Sequence, residues 1–492
     1  MTNTAMGSLT VQRYGFVKPR GPKPRLNPCQ SGASVPEATQ RRVARIRAED
    51  QRRTVARIGA AECPTEKTAM KIHKLITETA PLTELCERLA KSDFVCVDTE
   101  FMRESTYWPE LCLIQIADDK EAAAIDPKAP GLDLSPLLDL LVDNEDVLKI
   151  FHAGGQDVEI IYNLTGKTPH PIFDTQIAMM AISQSEQIGY SNLVESWLGL
   201  VIDKGARFTD WSRRPLTERQ IEYAIGDVTH LSKIFPKIIK RLIKTGRGEW
   251  LDAEMEKLAD PSHYRNDAGA AWLRIKAAGR NPAMLGRLKA LAAWREMEAQ
   301  DKNIPRGRIA RDETLADIAS HPPKTQADLA KVRGLSAGWK DNDIGKRLMQ
   351  TLEDAKPLTE AEMPAKAPRG APLGKEGALV ADLLKLLLKI RAREIDVAAR
   401  LLARSDDLEL LAAGVRKDLP ILEGWRYKVF GKDALDLVEG KLAFAVVKGR
   451  MKMTHVDELH SNMRDANPEE LPVLAGDDED DDMPQFKDDA EA

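Results

Sequence analysis

Near residue 250, the hydrophobic pattern of this chain changes from strands that alternate with helices to helices alone. Before that point, four apolar runs have the length and composition of strands, namely FVCVDTEF, LCLIQIA, AAAIDP and VLKIFHAG. Runs with helical spacing of apolar residues surround them, such as PLTELCERLAKS, LSPLLDLLVD and QDVEIIYNLTG. Because the first three strands follow one another at short spacings, the pattern predicts a meander within a sheet that is covered by helices.

Beyond residue 250, helical spacing continues without strand signals and falls into two units of similar layout. A stretch rich in Pro and Ala separates them and has the composition of a linker. Residues 1–69 are rich in Pro, Gly, Ser and Arg and lack apolar periodicity except in a short Arg-rich stretch that could form a surface helix, which predicts disorder through most of them. The tail is too strongly charged to fold alone. The expected segments are a basic, mostly disordered extension (1–69), an α/β domain (70–250), a connecting segment (251–280), a first helical unit (281–356), a linker (357–374), a second helical unit (375–452) and an acidic disordered tail (453–492).

Charge is distributed unevenly along the chain, although the net charge is only -5. Counting Lys and Arg against Asp and Glu gives about +8 for residues 1–69, about -8 for 70–250 and about -12 for 453–492. The same count gives about +3 for residues 281–356 and about +5 for 368–452. An acidic domain is therefore followed by two basic units.

The composition argues against a membrane protein and against a disulfide-stabilised one. No run approaches the roughly 18 apolar residues of a membrane span, and the N-terminus lacks an apolar signal core. The five cysteines are odd in number and form no CxxC pair, which argues against a disulfide framework and a zinc cluster. We therefore expect a cytoplasmic protein without membrane contact. Met70 opens the first structured run and is a hypothetical start of translation.

The strand FVCVDTEF carries two carboxylates in an otherwise apolar setting, Asp98 and Glu100. Residues two apart on a strand share a face, so these side chains lie side by side. Burial of several anions disfavours their ionisation unless cations join them. An Asp-x-Glu pair is also compatible with a solvated strand face, so it indicates a site only together with other signals.

Two further acidic positions follow along the chain. In HAGGQDVEII a strand ends at two glycines and a helix begins near Asp157, which suits an ordinary N-cap but also the edge where α/β sheets bind ligands. In RPLTERQIEYAIGDV, Thr217 and Gln220 predict a capping box and hence the start of a helix. On that helix Tyr223 and Asp227 share a face, an arrangement that is also common in simple packing pairs.

The order and separation of these acidic motifs, with the tyrosine on the last helix, resemble the DEDDy class of 3′→5′ exonucleases. The runs VDTEFMRESTYWPELCLIQIA, FHAGGQDVEIIY, FDTQIA and DWSRRPLTERQIEYAIGDV resemble the ribonuclease D family in particular, over about residues 70–250. The helical units resemble helicase-and-ribonuclease-D C-terminal (HRDC) domains, the first more clearly than the second. The resemblance implies a ribonuclease-H-like α/β exonuclease domain, with a mixed sheet flanked by helices, followed by two all-α helical bundles.

One position separates the DEDDy class from the related DEDDh class. A DEDDh enzyme has a histidine five residues before its last aspartate, where this chain has Glu222. His152 precedes Asp157 by five residues, but it belongs to the second motif, so the tyrosine class is indicated. Gly226 is a departure from good helical sequence, since glycine within a helix costs about 1 kcal/mol relative to alanine.

The resemblance also implies a chemistry for the acidic residues. Asp98, Glu100, Asp157 and Asp227 would bind two divalent cations, Mg²⁺ or Mn²⁺, and Tyr223 would orient the attacking water. RNA would be hydrolysed from its 3′ end to 5′-monophosphates by a monomeric enzyme. The expected substrates are precursor tRNA, trimmed at its 3′ trailer, and other structured RNA with a single-stranded 3′ end. Nothing in composition or spacing distinguishes tRNA from another RNA.

Several residues outside the acidic motifs are candidates for RNA contacts. Tyr107 and Trp108 are predicted to stack on terminal bases, unless they are core aromatics. His152 is either structural or a contact on the substrate side. Basic side chains of the first helical unit would contact phosphates, or else form a solvated charged face. These basic residues are Lys302, Arg306, Arg308 and Arg311.

Two other functions are compatible with the sequence. A DNA exonuclease would share the acidic motifs, although the two helical units and the lack of a polymerase domain favour RNA. A non-catalytic RNA-binding scaffold would require the loss of a metal ligand, whereas all four carboxylates and the tyrosine are present. A separate hypothesis, motivated by the charge of the acidic tail, is that this tail competes with RNA for the basic helical units.

Overall fold

The computed structural model describes residues 70–276, 279, 281–364 and 373–457. The predictions for the basic extension and for most of the acidic tail, including its competition with RNA, lie outside these residues. No helix in the described ranges combines the length and the apolar character that a transmembrane span requires.

The secondary structure follows the predicted change from mixed to helical near residue 250, except for two strands at the end of the second helical unit. The strands are β1 (Lys71–Ile72), β2 (Phe94–Met102), β3 (Glu110–Ala117), β4 (Glu121–Ile125), β5 (Leu148–Phe151), β6 (Ile172–Asp174), β7 (Leu442–Val447) and β8 (Arg450–His455). The helices are α1 (Thr79–Leu89), α2 (Ser135–Val142), α3 (Gly155–Thr165), α4 (Thr175–Met180), α5 (Tyr190–Leu198), α6 (Glu218–Thr245), α7 (Asp252–Ala259), α8 (Pro282–Lys302), α9 (Arg306–Ile309), α10 (Asp312–Ser320), α11 (Asp343–Asp354), α12 (Lys375–Glu394), α13 (Ala399–Leu402), α14 (Ser405–Ala412), α15 (Gly424–Arg426) and α16 (Lys432–Val438). Short 3₁₀ turns and one π-helical turn (Tyr427–Gly431) connect several of them.

The α/β domain contains one mixed sheet with the strand order β1-β4-β3-β2-β5-β6. Strands β2, β3 and β4 form the predicted antiparallel meander, whereas β5 and β6 run parallel to β2 on its other side. Strands β1 and β6 are too short for a recognisable pattern and were not predicted. The prediction of a mixed sheet flanked by helices is confirmed.

Each face of the sheet packs against its own layer of helices. Phe94 and Cys96 of β2 lie in a core shared with the long helix α6. Val95 and Val97 point to the other face and join a core formed with α1 and α2. The strand is therefore buried on both sides, as its apolar run predicts.

The first helical unit extends beyond its predicted limits at both ends. Ala271, Trp272 and Ile275 belong to its core, although the sequence placed them in the connecting segment. Leu358, predicted to lie in the linker, is also buried in this core, and its amide donates a hydrogen bond to the carbonyl of Pro282 at 3.0 Å. Apolar residues in a short 3₁₀ turn or in an irregular segment carry too little periodicity to reveal such packing.

The second helical unit ends in a β-hairpin, and here the sequence prediction was wrong. The run DALDLVEGKLAFA was expected to be helical, but α16 ends at Val438 and the residues from Leu442 onward form β7. Lys448 and Gly449 both have positive φ, at 51° and 70°, as in a two-residue hairpin turn. Strand β8 also includes residues 453–455, which the sequence assigned to the acidic tail. The helical character of the rest of the C-terminal region is confirmed.

The second helical unit packs directly against the α/β domain. The rings of Trp250 and Trp425 stack with centroids 4.2 Å apart and planes 3° apart. The guanidinium of Arg247 donates hydrogen bonds to the carbonyls of Ala181 at 2.8 Å and Ile395 at 2.7 Å. Stacking and charge-assisted hydrogen bonds thus cross the same boundary and fix the second helical unit to the α/β domain.

Candidate active site

Strand β2 presents Asp98 and Glu100 on one face, as the period of two predicts. Cys96 precedes them on that face and lies in the core shared with α6. On the neighbouring strand β3, Gln115 stands opposite Asp98 and Leu113 stands opposite Glu100. The two carboxylates therefore lie on the face of β2 that packs against α6, just beyond the apolar core.

Helix α3 carries Asp157 in its first turn, and the turn before the helix is held by another carboxylate. Ala153 has a φ of 57°, and the Asp174 side chain accepts hydrogen bonds from the amides of Ala153 at 3.2 Å and Gly154 at 2.8 Å. The Thr99 hydroxyl on β2 donates a hydrogen bond to Oδ1 of Asp157. These contacts tie the third acidic residue to the strand that carries the first two.

Helix α6 begins with the predicted capping box. The amide of Gln220 donates to Oγ1 of Thr217 at 3.2 Å, and the amide of Thr217 donates to Oε1 of Gln220 at 3.0 Å. The helix therefore starts at Glu218. Tyr223 and Asp227 follow one turn apart, on the side of the helix that faces the carboxylates of β2.

Tyr190 supports the turn of α6 that carries Asp227. Its hydroxyl donates to the carbonyl of Gly226 at 3.0 Å and also contacts the carbonyl of Asp227. A side chain at Gly226 would meet only the ring of His230, in ordinary contact at 3.5 Å. The glycine in this helix is therefore not required by crowding.

These elements surround a cavity of about 560 Å³. Its lining brings together the residues of all three predicted motifs, which lie far apart in the sequence. The lining includes Asp98, Glu100, Asp157, Tyr223, Asp227, His152 and Arg207.

Three of the carboxylates are close enough to share a metal ion. One carboxylate oxygen each from Asp98, Glu100 and Asp227 lies within 4.8 Å of the others. Asp157 is not part of this group of three, and its hydrogen bond to Thr99 holds it beside them. Carboxylate oxygens are hard ligands of the kind that Mg²⁺ and Mn²⁺ prefer.

The electrostatics of the cavity also fit a divalent cation. Burial, followed by repulsion from Asp227, raises the pKa of Asp98 to about 8. Burial and then repulsion from the neighbouring aspartates raise the pKa of Glu100 to about 9, and burial raises that of Asp227 to about 7. The pKa of Asp157 is also raised, by burial and by Asp98. Without a cation the ionised carboxylates are disfavoured, so a bound cation would relieve a real electrostatic cost.

This cost predicts a pH-dependent stability in the metal-free protein. Because the pKa values of Asp98, Glu100 and Asp227 are raised in the folded state, their contribution to stability is largest at acidic pH. It is lost as the pH rises towards the folded values of about 7 to 9. Mn²⁺ or Mg²⁺ should therefore raise the melting temperature more at pH 8.5 than at pH 6, as measured by scanning calorimetry against a chelator. Equal shifts at the two pH values would contradict this prediction, and Glu100→Gln should reduce the shift.

Tyr107 does not lie in the cavity. Its hydroxyl donates to Oε1 of the fully buried Glu296 and accepts from Nε2 of Gln300 at 3.1 Å. Asn303 accepts from the amides of both Tyr107 and Trp108 at 3.1 Å. The Tyr107 ring packs against the core of the first helical unit, so the structure uses it to join the two domains rather than to stack on a base. Trp108 also lies outside the cavity lining, edge-on to Tyr107 with ring centroids 4.7 Å apart.

His152 lines the cavity, but both of its ring nitrogens bond to the protein. Nε2 lies 3.0 Å from the carbonyl of Ile188, to which it must donate, and Nδ1 lies 2.9 Å from Oγ1 of Thr175. Burial lowers its pKa below the ordinary histidine value. Only the edge or face of this neutral ring is left for a substrate.

The four basic candidates of the first helical unit divide into two pairs. Lys302 forms an ion pair with Glu298 at 2.8 Å, and Arg306 lies 3.6 Å from Glu296. Arg308 and Arg311 are exposed and form no ion pair with the described part of the chain. Arg308 and Arg311 therefore have side chains available for phosphate, and their role as RNA contacts stays a prediction.

Several residues that build the site were not predicted from the sequence. Asp174 and Thr99 position Asp157, and Tyr190 supports the turn at Asp227. Asp174 directly precedes a helix in FDTQIA, so its role as an N-cap was readable, but its bonds to the turn before α3 were not. Arg207, which lines the cavity, was also missed.

Comparison with known proteins agrees with the geometry of the cavity. Residues 74–243 match the 3′-5′ exonuclease family, and residues 284–352 match the HRDC domain family. Ribonuclease D of Sphingobium indicum is 71% identical over 385 residues, which cover 78% of this chain and 99% of that protein. Ribonuclease D of Zymomonas mobilis is 63% identical over 389 residues, which cover 79% of this chain and 100% of that protein.

A solved structure leads to the same family. The crystal structure of Escherichia coli RNase D, described as an exoribonuclease involved in structured RNA processing, superposes with a TM-score of 0.63 at 28% identity. The match covers 75% of this chain and 98% of that one. The resemblance drawn from the acidic motifs is thus confirmed, and the chain belongs to the ribonuclease D family of 3′→5′ exoribonucleases.

Proposed function

We propose that this exoribonuclease removes nucleotides one at a time from RNA 3′ ends, releases 5′-monophosphates, and uses two divalent cations, Mg²⁺ or Mn²⁺. The observation that carries this proposal is the meeting of Asp98 and Glu100 from β2 with Asp227 from α6 in one cavity, with ligand oxygens within 4.8 Å of one another. Asp157 completes the set of four carboxylates in the same lining.

The side chains have distinct tasks in this proposal. Asp98, Glu100, Asp157 and Asp227 would hold the cations, which when bound supply positive charge for the attacking water and the departing 3′ oxygen. Burial, with repulsion from Asp227 and Glu100, raises the pKa of Tyr223 well above its ordinary value. Its phenol therefore keeps its proton at neutral pH and acts as a hydrogen-bond donor that orients the water, not as the base.

The proposed substrate is precursor tRNA with a 3′ trailer, or another structured RNA with a single-stranded 3′ end. The acidic α/β domain alone would repel RNA, whereas the basic helical units supply cations for its phosphates. The involvement of the Escherichia coli relative in structured RNA processing supports this class of substrate. We further propose that the enzyme acts as a monomer, since the whole lining of the site comes from one chain. We propose the cytoplasm as its location, in keeping with the expectation from its composition.

A time course with a 3′-extended tRNA transcript tests this proposal. With Mg²⁺ or Mn²⁺, the wild-type protein should shorten the transcript stepwise from its 3′ end, and a chelator should stop the reaction. Equal degradation of a DNA oligonucleotide of matched sequence would favour the DNA exonuclease instead. Binding of the transcript without shortening, in the presence of either cation, would favour the non-catalytic scaffold.

A further inference from the structure

We infer that the loop Asp203–Trp211 presents Arg207 and Phe208 to the RNA as a combined phosphate and base contact at the mouth of the catalytic cavity. The inference deepens the proposed function and rests on it, because it names how the same cavity takes hold of single-stranded RNA. No acidic motif includes these two residues, and they lie between α5 and α6.

Arg207 brings a positive charge to a cavity that is otherwise lined by carboxylates and neutral side chains. Among the described residues, it is the one Lys or Arg side chain that lines the cavity with the four carboxylates. It is exposed, and it forms no salt bridge with the described part of the chain. Its charge opposes the rise in pKa that burial causes in Glu100 and Asp227, so it acts on the same space as the catalytic groups. Besides the proposed metal cations, Arg207 is therefore the positive charge that the described lining offers to a phosphate.

Phe208 places an aromatic ring in solvent beside this cation. The ring is 87% exposed, the highest exposure among the large apolar side chains of the described residues. The guanidinium carbon of Arg207 lies 5.3 Å from the ring centroid, which is the geometry of a cation–π contact. Flat aromatic rings hold single strands by stacking on bases without regard to sequence. Arg207 thus offers a contact for the phosphate of a nucleotide, and Phe208 offers one for its base.

The loop is anchored to the helix that carries the catalytic tyrosine. On one side, Asp203 forms an ion pair with Arg219 of α6 at 2.6 Å. On the other side, Nε2 of Gln220 donates to Oγ1 of Thr209 at 3.0 Å. Trp211, which is buried, ends the loop. Both ends are therefore fixed to the start of α6, and the exposed pair is held at a set position relative to Tyr223.

This arrangement favours single-stranded RNA over a protein partner. A cation and a stacking ring side by side match the alternation of phosphate and base along a strand, and the cation of this pair lines the same cavity as the carboxylates. Contacts of this kind are independent of sequence, as an enzyme that removes successive nucleotides requires. They should hold the RNA and leave the chemical step to the carboxylates.

Binding of a short single-stranded RNA tests the inference without relying on cleavage. The probe is a fluorescent oligoadenylate with a phosphorothioate at its 3′-terminal linkage, measured by anisotropy in Mg²⁺ over a range of salt. Phe208→Ala should weaken binding by about tenfold, and Phe208→Trp should restore it. Arg207→Ala should weaken binding and lower the slope of log Kd against log salt by about 0.7, the value for one single-strand phosphate contact.

Two surface variants serve as matched controls. Val201 is 86% exposed, and the Arg213 side chain is 83% exposed and ion-paired with Asp210, yet neither lines the cavity. Val201→Ala and Arg213→Ala should bind the oligoadenylate as the wild type does. The inference is overturned if Phe208→Ala and Arg207→Ala bind the oligoadenylate as tightly as the wild type does and keep the wild-type melting temperature. The exposed pair would then be a candidate contact for a protein partner. That outcome is distinct from failure of the proposed function, in which the wild type binds but does not shorten tRNA.

Discussion

Asp98→Asn is expected to lower the rate of RNA shortening by about 10³-fold or more, while the protein stays folded. Loss of one preorganised charge-stabilising group typically costs 10² to 10³-fold, and Asp98 belongs to the group of three carboxylates that can share one cation. A factor of 10³ corresponds to about 4 kcal/mol in the activation barrier. The measurement is single-turnover decay of a 3′-labelled RNA at saturating Mg²⁺, compared with the wild type.

The same substitution should stabilise the metal-free protein, which separates a catalytic defect from a folding defect. Burial and Asp227 raise the pKa of Asp98 to about 8, so its ionised form is costly in the absence of a cation. A neutral amide removes that cost, and the melting temperature in chelator at pH 8.5 should rise by about 2 °C or more. Asp119→Asn, an exposed carboxylate next to the same sheet, is the control and should change neither quantity. A variant that loses activity together with stability would contradict the assignment of Asp98 as a metal ligand.

The placement of the acidic side chains on shared faces was predictable, because each motif depends on local geometry. Asp98 and Glu100 share a face through the period of two on β2, and Tyr223 and Asp227 share one through the helical period on α6. Neither the strand period of β2 nor the helical period of α6 could predict that their carboxylates would meet in one cavity. That prediction came from the resemblance to a known family, and the 4.8 Å grouping of ligand oxygens agrees with it.

Contacts between distant parts of the chain were beyond the reach of local patterns. Tyr107 follows the first acidic motif closely, which suggested a contact with substrate, but its hydroxyl partner Glu296 lies 189 residues away. Burial and the bond to Glu296 raise the pKa of Tyr107 to about 12, so the phenol remains a donor in this interface. Nothing in the sequence around either residue marks this pairing.

The hairpin β7–β8 was missed for a different reason. The run LAFAVV lacks the alternation of apolar and polar residues that reveals a half-buried strand, and alanine favours a helix. Its turn, Lys448-Gly449, has only one of the residues that normally identify a two-residue hairpin. Pairing with β8, and not the intrinsic preference of β7, determines the structure here.

Gly154→Ala is expected to lower activity by about 100-fold through displacement of Asp157. A Cβ atom at Gly154 would lie 2.4 Å from Cβ of Phe151, a contact too short for real atoms, and Phe151 is fully buried and cannot give way. The backbone of Gly154 has a φ of -74° and a ψ of 15°, which alanine tolerates, so the effect is steric alone. The start of α3 must move instead, and a misplacement of about 1 Å at a catalytic group can cost about 10²-fold. The overpacking itself should destabilise the fold by about 1 to 3 kcal/mol.

Gly155→Ala is the matched control, one residue further along the same turn. An added Cβ there has nothing within 4 Å, and the residue is the first of helix α3. Alanine should therefore leave the rate unchanged and stabilise the protein slightly, by about 0.4 to 1 kcal/mol, because it restricts the unfolded chain. Rates and denaturant midpoints of the two variants, measured side by side, give the comparison. If both variants shorten RNA at the wild-type rate, the packing of Gly154 on Phe151 does not set the position of Asp157, and the hydrogen bond from Thr99 must be sufficient to hold it.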